Sequence, residues 1–154
     1  MKGRLILLGA VGALAVAGCG SSSSSSAGAG KAGDAAKADR TVEVHILASK
    51  TYNPATVSVK AGETVTFKVT NDDTSLHEFT LGDQTAQAAH EKEMGAMSMD
   101  SMKMADTSNR VDMEGGQTKQ LTWTFPSKTG TTVIYGSHAP NDYSGGLKGT
   151  VTVG

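Results

Sequence analysis

Tyr135-Gly136-Ser137-His138-Ala139-Pro140-Asn141-Asp142-Tyr143-Ser144-Gly145-Gly146-Leu147-Lys148-Gly149 is the stretch on which the fold of this chain turns. It is dense in Gly, Pro, Asn, Asp and Ser, and it lies between two runs of β-forming residues, Thr131–Tyr135 and Thr150–Val153. Two such runs around a turn-rich segment read as consecutive strands joined by a loop. Working upstream, Leu121, Trp123 and Phe125 alternate with polar residues, between turns at Glu114–Gln117 and Pro126–Gly130. Val65, Phe67 and Val69 alternate within Thr64–Thr70, and Val42, Val44 and Ile46 alternate with Glu43 and His45. A period of two is that of a strand with one buried face. Thr56–Val59 is a further strand, followed by the turn Lys60–Glu63, where Gly62 makes a positive φ inexpensive. His77–Leu81 is a short strand after the loop Asn71–Ser75. Short strands with frequent turns predict an all-β sandwich or barrel.

The N-terminus carries an address. Lys2 and Arg4 precede the apolar run Leu5–Ala17, which is shorter than the roughly 20 residues a membrane span takes. The run ends in Val16-Ala17-Gly18-Cys19, which resembles a bacterial lipobox, so residues 1–18 are expected to be removed and Cys19 lipidated. Cys19 is the only cysteine. No disulfide can therefore staple the domain, and no thiol is left to serve as a soft ligand or nucleophile. Residues 19–39, with the run Ser21–Ser26 followed by small and charged residues, read as a flexible tether. Residues 40–154 are one domain. Without Lys2 and Arg4, 12 basic residues face 15 acidic ones, a net charge of about −3 that argues against nucleic acid as a partner. There is no phosphate-binding loop, nucleophile elbow, internal repeat or visible pair of catalytic groups, so no enzyme activity is expected. The expected location is extracytoplasmic, with the lipidated Cys19 holding the protein to the membrane.

The segment from Tyr52 to Val65, then Asn71 followed by His77-Glu78-Phe79, and finally the 135–149 loop together resemble cupredoxins, the small copper domains of the plastocyanin and azurin type. The resemblance covers most of residues 41–81 and 110–154 and implies a Greek-key β-sandwich or barrel. It also implies a metal vertex of four ligands. His77 falls on the first of these. The Cys position is Ser137, the second His position is Asp142 and the Met position is Leu147. A blue-copper centre needs a thiolate, two imidazoles and a weak axial donor. Three of the four are missing, although the framework around them is kept. His77 and Asp142 could form a nitrogen–oxygen site for Cu(II) or Zn(II). The bland alternative is a solvated Asp142 and a locally hydrogen-bonded His77. His138 adjoins Ser137 and should point to the opposite face. His45 is read as an exposed strand residue without a role.

Residues 82–109 form an insertion. Thr85–Met94 has helical composition. Met94, Met97, Met99, Met102 and Met104 then place five of the seven methionines within eleven residues. At helical pitch they share no common face, and they do not alternate as a strand would, so packing explains them poorly. The spacing resembles the Met-rich motifs of exported copper-handling proteins. Thioethers are soft donors that favour Cu(I), and His90 lies one helical turn before Met94. The candidate metal ligands are therefore the five methionines with His90 and His77. A ligand-free low-complexity loop and a sacrificial or sensing Met loop stand as alternatives. The expected function is copper storage, resistance or delivery, with another copper-handling protein as partner. Electron transfer from a degenerate blue-copper site and a metal-free interaction module are the competing readings.

Overall fold

The computed structural model describes residues 28–98 and 104–154. The signal segment 1–18, Cys19, Met99 and Met102 lie outside these residues. Among the described residues, ten strands form two five-stranded sheets. The first sheet takes β1 (Lys31–Ala32), β2 (Arg40–Leu47), β3 (Thr51–Asn53), β5 (Thr64–Asn71) and β8 (Thr118–Thr124), in the order β1-β8-β5-β2-β3. The second takes β4 (Thr56–Val59), β6 (His77–Gly82), β7 (Arg110–Met113), β9 (Thr132–Gly136) and β10 (Lys148–Val153), in the order β4-β10-β9-β6-β7. β2 runs parallel to β5 and β4 parallel to β10; the other pairings are antiparallel.

The alternating positions meet between the sheets. Val44, Ile46, Val65, Phe67, Val69, Leu121 and Trp123 face Val57, Val59, Phe79, Leu81, Val133, Tyr135, Val151 and Val153, all buried in one cluster. Tyr135 is its hinge, with its ring 5.0 Å from Tyr52 and 5.2 Å from Phe79, and its hydroxyl donating to Pro54 O at 2.6 Å. A Cβ at Gly149 would stand 2.3 Å from that ring, so only glycine lets β10 pass there.

Two regions depart from the sequence expectation. Residues 28–39 are not tether. β1 pairs with β8, Ala29 is fully buried, and Trp123 Nε1 donates to Ala29 O at 2.7 Å. The small residues that suggest a linker are what closeness requires here. A Cβ at Gly30 would lie 2.3 Å from Thr124 O, and φ there is 107°. The insertion holds α1 (Gln84–Gly95), capped by Asp83, whose side chain accepts from Ala86 N at 2.8 Å. Its return begins as strand β7, which pairs with β6 along the register His77↔Met113 and Glu78↔Asp112.

Candidate functional site

His77 opens β6, Ser137 follows β9, Asp142 opens the single helical turn α2 (Asp142–Gly145), and Leu147 precedes β10. These four positions, far apart in sequence, form one buried vertex. His77 Nδ1 lies 2.6 Å from Asp142 Oδ2, and Ser137 Oγ donates to the same oxygen at 2.7 Å. Ser137 Oγ in turn accepts from Glu78 N at 3.0 Å. His77 Nε2 faces Asp73 Oδ2 at 2.8 Å. Leu147 is fully buried in the hydrophobic core and brings no donor. The loop is tied across its neck by Leu147 N donating to Asp142 O at 2.9 Å and Ser137 N donating to Leu147 O at 3.1 Å. Gly146, at φ 100°, makes that turn possible.

Asp142 is therefore not a solvated loop residue; it is 2% exposed and central to a network. Burial opposes a charge on His77, but the carboxylates of Asp142 and Asp73 outweigh it and raise the imidazole above its ordinary value. Both ring nitrogens face carboxylates, so the imidazolium satisfies both. Burial likewise opposes ionisation of Asp142, yet the hydrogen bonds from His77 and Ser137, with the Lys50 ammonium nearby, hold its carboxyl below the usual range.

These residues do not fit a blue-copper ion. The hydroxyl of Ser137 is no thiolate, Leu147 has no donor, and each nitrogen of His77 is occupied by a carboxylate. The two carboxylates favour a proton on His77, against the opposing effect of burial.

A second polar cluster lies on the outer face of the second sheet, beneath α1. His138 points there, to partners other than those of Ser137. Its Nδ1 is 2.7 Å from Glu91 Oε2 and its Nε2 is 2.6 Å from Gln87 Oε1. Gln87 Nε2 donates to Thr80 O and Ile134 O at 2.8 and 2.9 Å, which fixes the amide with its oxygen toward His138. Burial pushes the His138 imidazole down against the pull of Glu91. The ring stacks on Tyr143, with centroids 4.4 Å apart. His90 Nε2 lies 3.3 Å from Glu78 Oε2; burial opposes its charge, and Glu78 more than offsets this, raising the imidazole. His45 is half-buried and meets Asp72 at 2.7 Å.

Of the methionines in the insertion, three are described. Met94 is 2% exposed. Met97 and Met104 are partly buried, and Arg110 Nη1 lies 3.4 Å from Met104 Sδ. Among the described residues no group of three or more His, Cys, Asp or Glu side chains converges as a metal site. None of the helices they form is long and apolar enough to cross a membrane.

Residues 10–108 match the family described as "Cupredoxin-like domain". The chain is 35% identical to the copper-resistant cuproprotein CopI of Pseudomonas aeruginosa, across 80% of this chain and 81% of that one. It is 37% identical to the copper-resistant cuproprotein CopI of Rubrivivax gelatinosus, across 79% of this chain and 70% of that one. The chain belongs to the cupredoxin-like family. The fold of this cupredoxin is also that of reduced auracyanin from Roseiflexus castenholzii, at a TM-score of 0.62 and 24% identity, covering 76% of this chain and 98% of that one.

The resemblance to cupredoxins set His77, Ser137, Asp142 and Leu147 on the family's ligand positions; in the structure the first three are joined by hydrogen bonds, and Leu147 is tied to Ser137 and Asp142 through its backbone. No role was read from the sequence for Asp73, Glu78, Gln87, Glu91 or Asp112. The burial of Glu78 and Asp112 is visible only in the structure. In His77–Gly82 and Arg110–Met113 every residue is buried, although Glu78, Thr80, Arg110 and Asp112 are polar. A polar strand face next to a helical insertion is a face that the insertion can cover.

Proposed function

We propose that this cupredoxin is an extracytoplasmic copper-resistance protein that binds Cu(I) through its Met-rich insertion, not through the family's blue-copper vertex. It acts as a binding protein for storage or delivery, and the lipidated Cys19 tethers it to the membrane. The observation that carries this reading is the concentration of five thioethers within eleven residues, in a chain whose vertex lacks thiolate and thioether alike. Support comes from the two relatives, each named a copper-resistant cuproprotein. α1 and β7 flank the segment and fix both of its ends against the second sheet. Thioethers bind without losing a proton, so Cu(I) affinity should change little as pH falls below about 6.5, whereas a His-dominated site would weaken.

The test is Cu(I) competition against a chromophoric chelator at two pH values. It compares the full chain, in detergent, with a variant carrying Leu at Met94, Met97, Met99, Met102 and Met104. Leu keeps the apolar bulk and removes the sulfur. The variant should lose Cu(I) affinity; Met94→Leu alone should change it least, because Met94 is buried. Equal affinity in the five-site variant would show that the insertion is not the site. Collapse of wild-type affinity at the lower pH would transfer the binding to His77 or His90.

A further inference from the structure

Among the described residues, four buried side-chain atoms lack a hydrogen-bond partner: Glu78 Oε1, Thr80 Oγ1, Arg110 Nε and Asp112 Oδ1. They are not scattered. Glu78 and Thr80 are two apart on β6, Arg110 and Asp112 two apart on β7, and the register sets Glu78 opposite Asp112 and Thr80 opposite Arg110. By strand parity all four share the outer face, while Phe79, Leu81, Val111 and Met113 enter the core. The helix covers this face from above. His90 Nε2 reaches to 3.3 Å from Glu78 Oε2, and Gln87 donates to the carbonyl of Thr80. The side chains of Glu78 and Asp112 are each 1% exposed.

One oxygen of each carboxylate is satisfied: Glu78 Oε2 accepts from His138 N at 2.9 Å and faces His90, and Asp112 Oδ2 accepts from Met104 N at 2.7 Å. The other oxygens are not, since Glu78 Oε1 has no partner and Arg110 Nε meets Asp112 Oδ1 at 3.3 Å as an ion pair without hydrogen-bond alignment. A buried carboxylate oxygen without a hydrogen-bond partner is costly, and a cation or a proton compensates it. The donors at hand are two carboxylates and an imidazole, a set that suits a borderline divalent ion and not Cu(I). Two donors of one tetrahedral ion, each about 2.0–2.1 Å from it, stand about 3.3 Å apart. That is the spacing of Glu78 Oε2 and His90 Nε2.

We infer that Glu78, Asp112 and His90 form a second metal site, which takes a divalent transition-metal ion between the sheet and α1. It is independent of the thioethers and of the His77 vertex. Since no three such groups already converge, binding draws the Asp112 carboxylate off Arg110 toward the ion. Cu(II) should bind more tightly than Zn(II), following the usual order of affinities.

Zn(II) is the probe, titrated calorimetrically into the full chain in detergent. One saturable ion per chain is expected. Losing a ligand should cost no less than losing its outer-shell partner, so Glu78→Gln and Asp112→Asn should each weaken Zn(II) at least about tenfold. Both should keep Cu(I) affinity. The five-site Met→Leu variant should keep Zn(II) and lose Cu(I). If instead it keeps Cu(I), the thioether reading fails and this one stands. If the wild-type chain shows no saturable Zn(II), the inference is wrong whatever the variants do. It is also wrong if Zn(II) survives Glu78→Gln and disappears in Asp142→Asn, which would put the ion at the vertex. Loss of Zn(II) in the five-site Met variant overturns it as well. Should Glu78→Gln fail to fold by circular dichroism, His90→Asn on the helix decides, with unchanged Zn(II) affinity overturning the site.

Discussion

Asp142 Oδ2 accepts from an imidazole and a hydroxyl at the same time, and the stability of the 137–147 loop depends on that atom. The sign of its pH dependence follows from the two shifts. His77 is raised, so its contribution is complete below the ordinary imidazole value of about 6.5 and is lost as pH rises through the higher folded value. Asp142 is lowered, so its contribution is complete above about 3.9 and is lost as pH falls through its lower folded value. Thermal melts should therefore show a plateau between about pH 4 and 6.5 with a declining alkaline limb. Asp142→Asn should lower the plateau by about 3 kcal/mol, the low end for breaking a buried pair, because Asp73 keeps the other nitrogen. It should also flatten the alkaline limb; an unchanged limb would mean that His77 is not the titrating group. The same geometry bears on the family's chemistry. The triple change Ser137→Cys, Asp142→His and Leu147→Met removes the carboxylate from His77 Nδ1 and supplies the missing donors. With Cu(II) it should develop an intense visible thiolate band that the wild type lacks. A folded but colourless triple variant would show that the loop does not present these positions to one ion.

At the scale of elements, the strands with one buried face were legible because that burial writes itself as alternation in 42–46, 64–70 and 121–125, whereas the short strands β1, β3 and β7 carry no such pattern and were not read. The helix was legible from its composition, within a residue of its observed ends. How the helix attaches was not legible, because it depends on one amide. Gln87 reaches two carbonyls on neighbouring strands, Thr80 on β6 and Ile134 on β9, and then offers its oxygen to His138. A glutamine in a helix has many uses on a surface, and nothing in local sequence marks this one as fully buried. Gln87→Leu keeps the bulk and strands two buried carbonyls and the His138 N–H. It should cost about 1–3 kcal/mol for each group left unsatisfied, and α1 amides should lose exchange protection along with those of β6 and β9. Asp83→Ala should cost only about 1 kcal/mol, the usual worth of an N-cap, and should speed exchange in the first turn of α1 alone. Equal effects of the two on β9 would mean that Gln87 is no clamp. Met-rich spacing belongs to this scale too. It underlies the proposed Cu(I) site because it matches neither helical nor strand packing, and it is silent on the buried polar face formed by Glu78 and Asp112.

For the whole molecule, sequence misplaced the start of the domain, and the cause is physical. Ala, Gly and small polar residues have the composition of a linker, yet the same smallness lets a chain lie directly on a sheet. Gly30 passes Thr124 O where a Cβ could not fit, and Gly33 N donates to Thr122 O at 2.9 Å. Asp39 and Thr64 exchange two bonds, Asp39 N to Thr64 O at 2.7 Å and Thr64 N to Asp39 Oδ2 at 2.8 Å. Ala29 O accepts from the indole of Trp123, the only tryptophan. A chain begun at Arg40 would lose all of these contacts and uncover part of the Trp123 ring and the edge of β8. One begun at Gly28 would keep them. The partial exposure of a large aromatic and the lost hydrogen bonds together should cost about 2 kcal/mol or more. The shorter chain should therefore unfold at lower denaturant, with native Trp123 emission shifted to the red. Because β8 is a rim of the first sheet once β1 is gone, the shorter chain should also self-associate more readily through the exposed strand. Coincident unfolding curves and identical emission for the two chains would mean that residues 28–39 contribute nothing and that the domain does begin at Arg40.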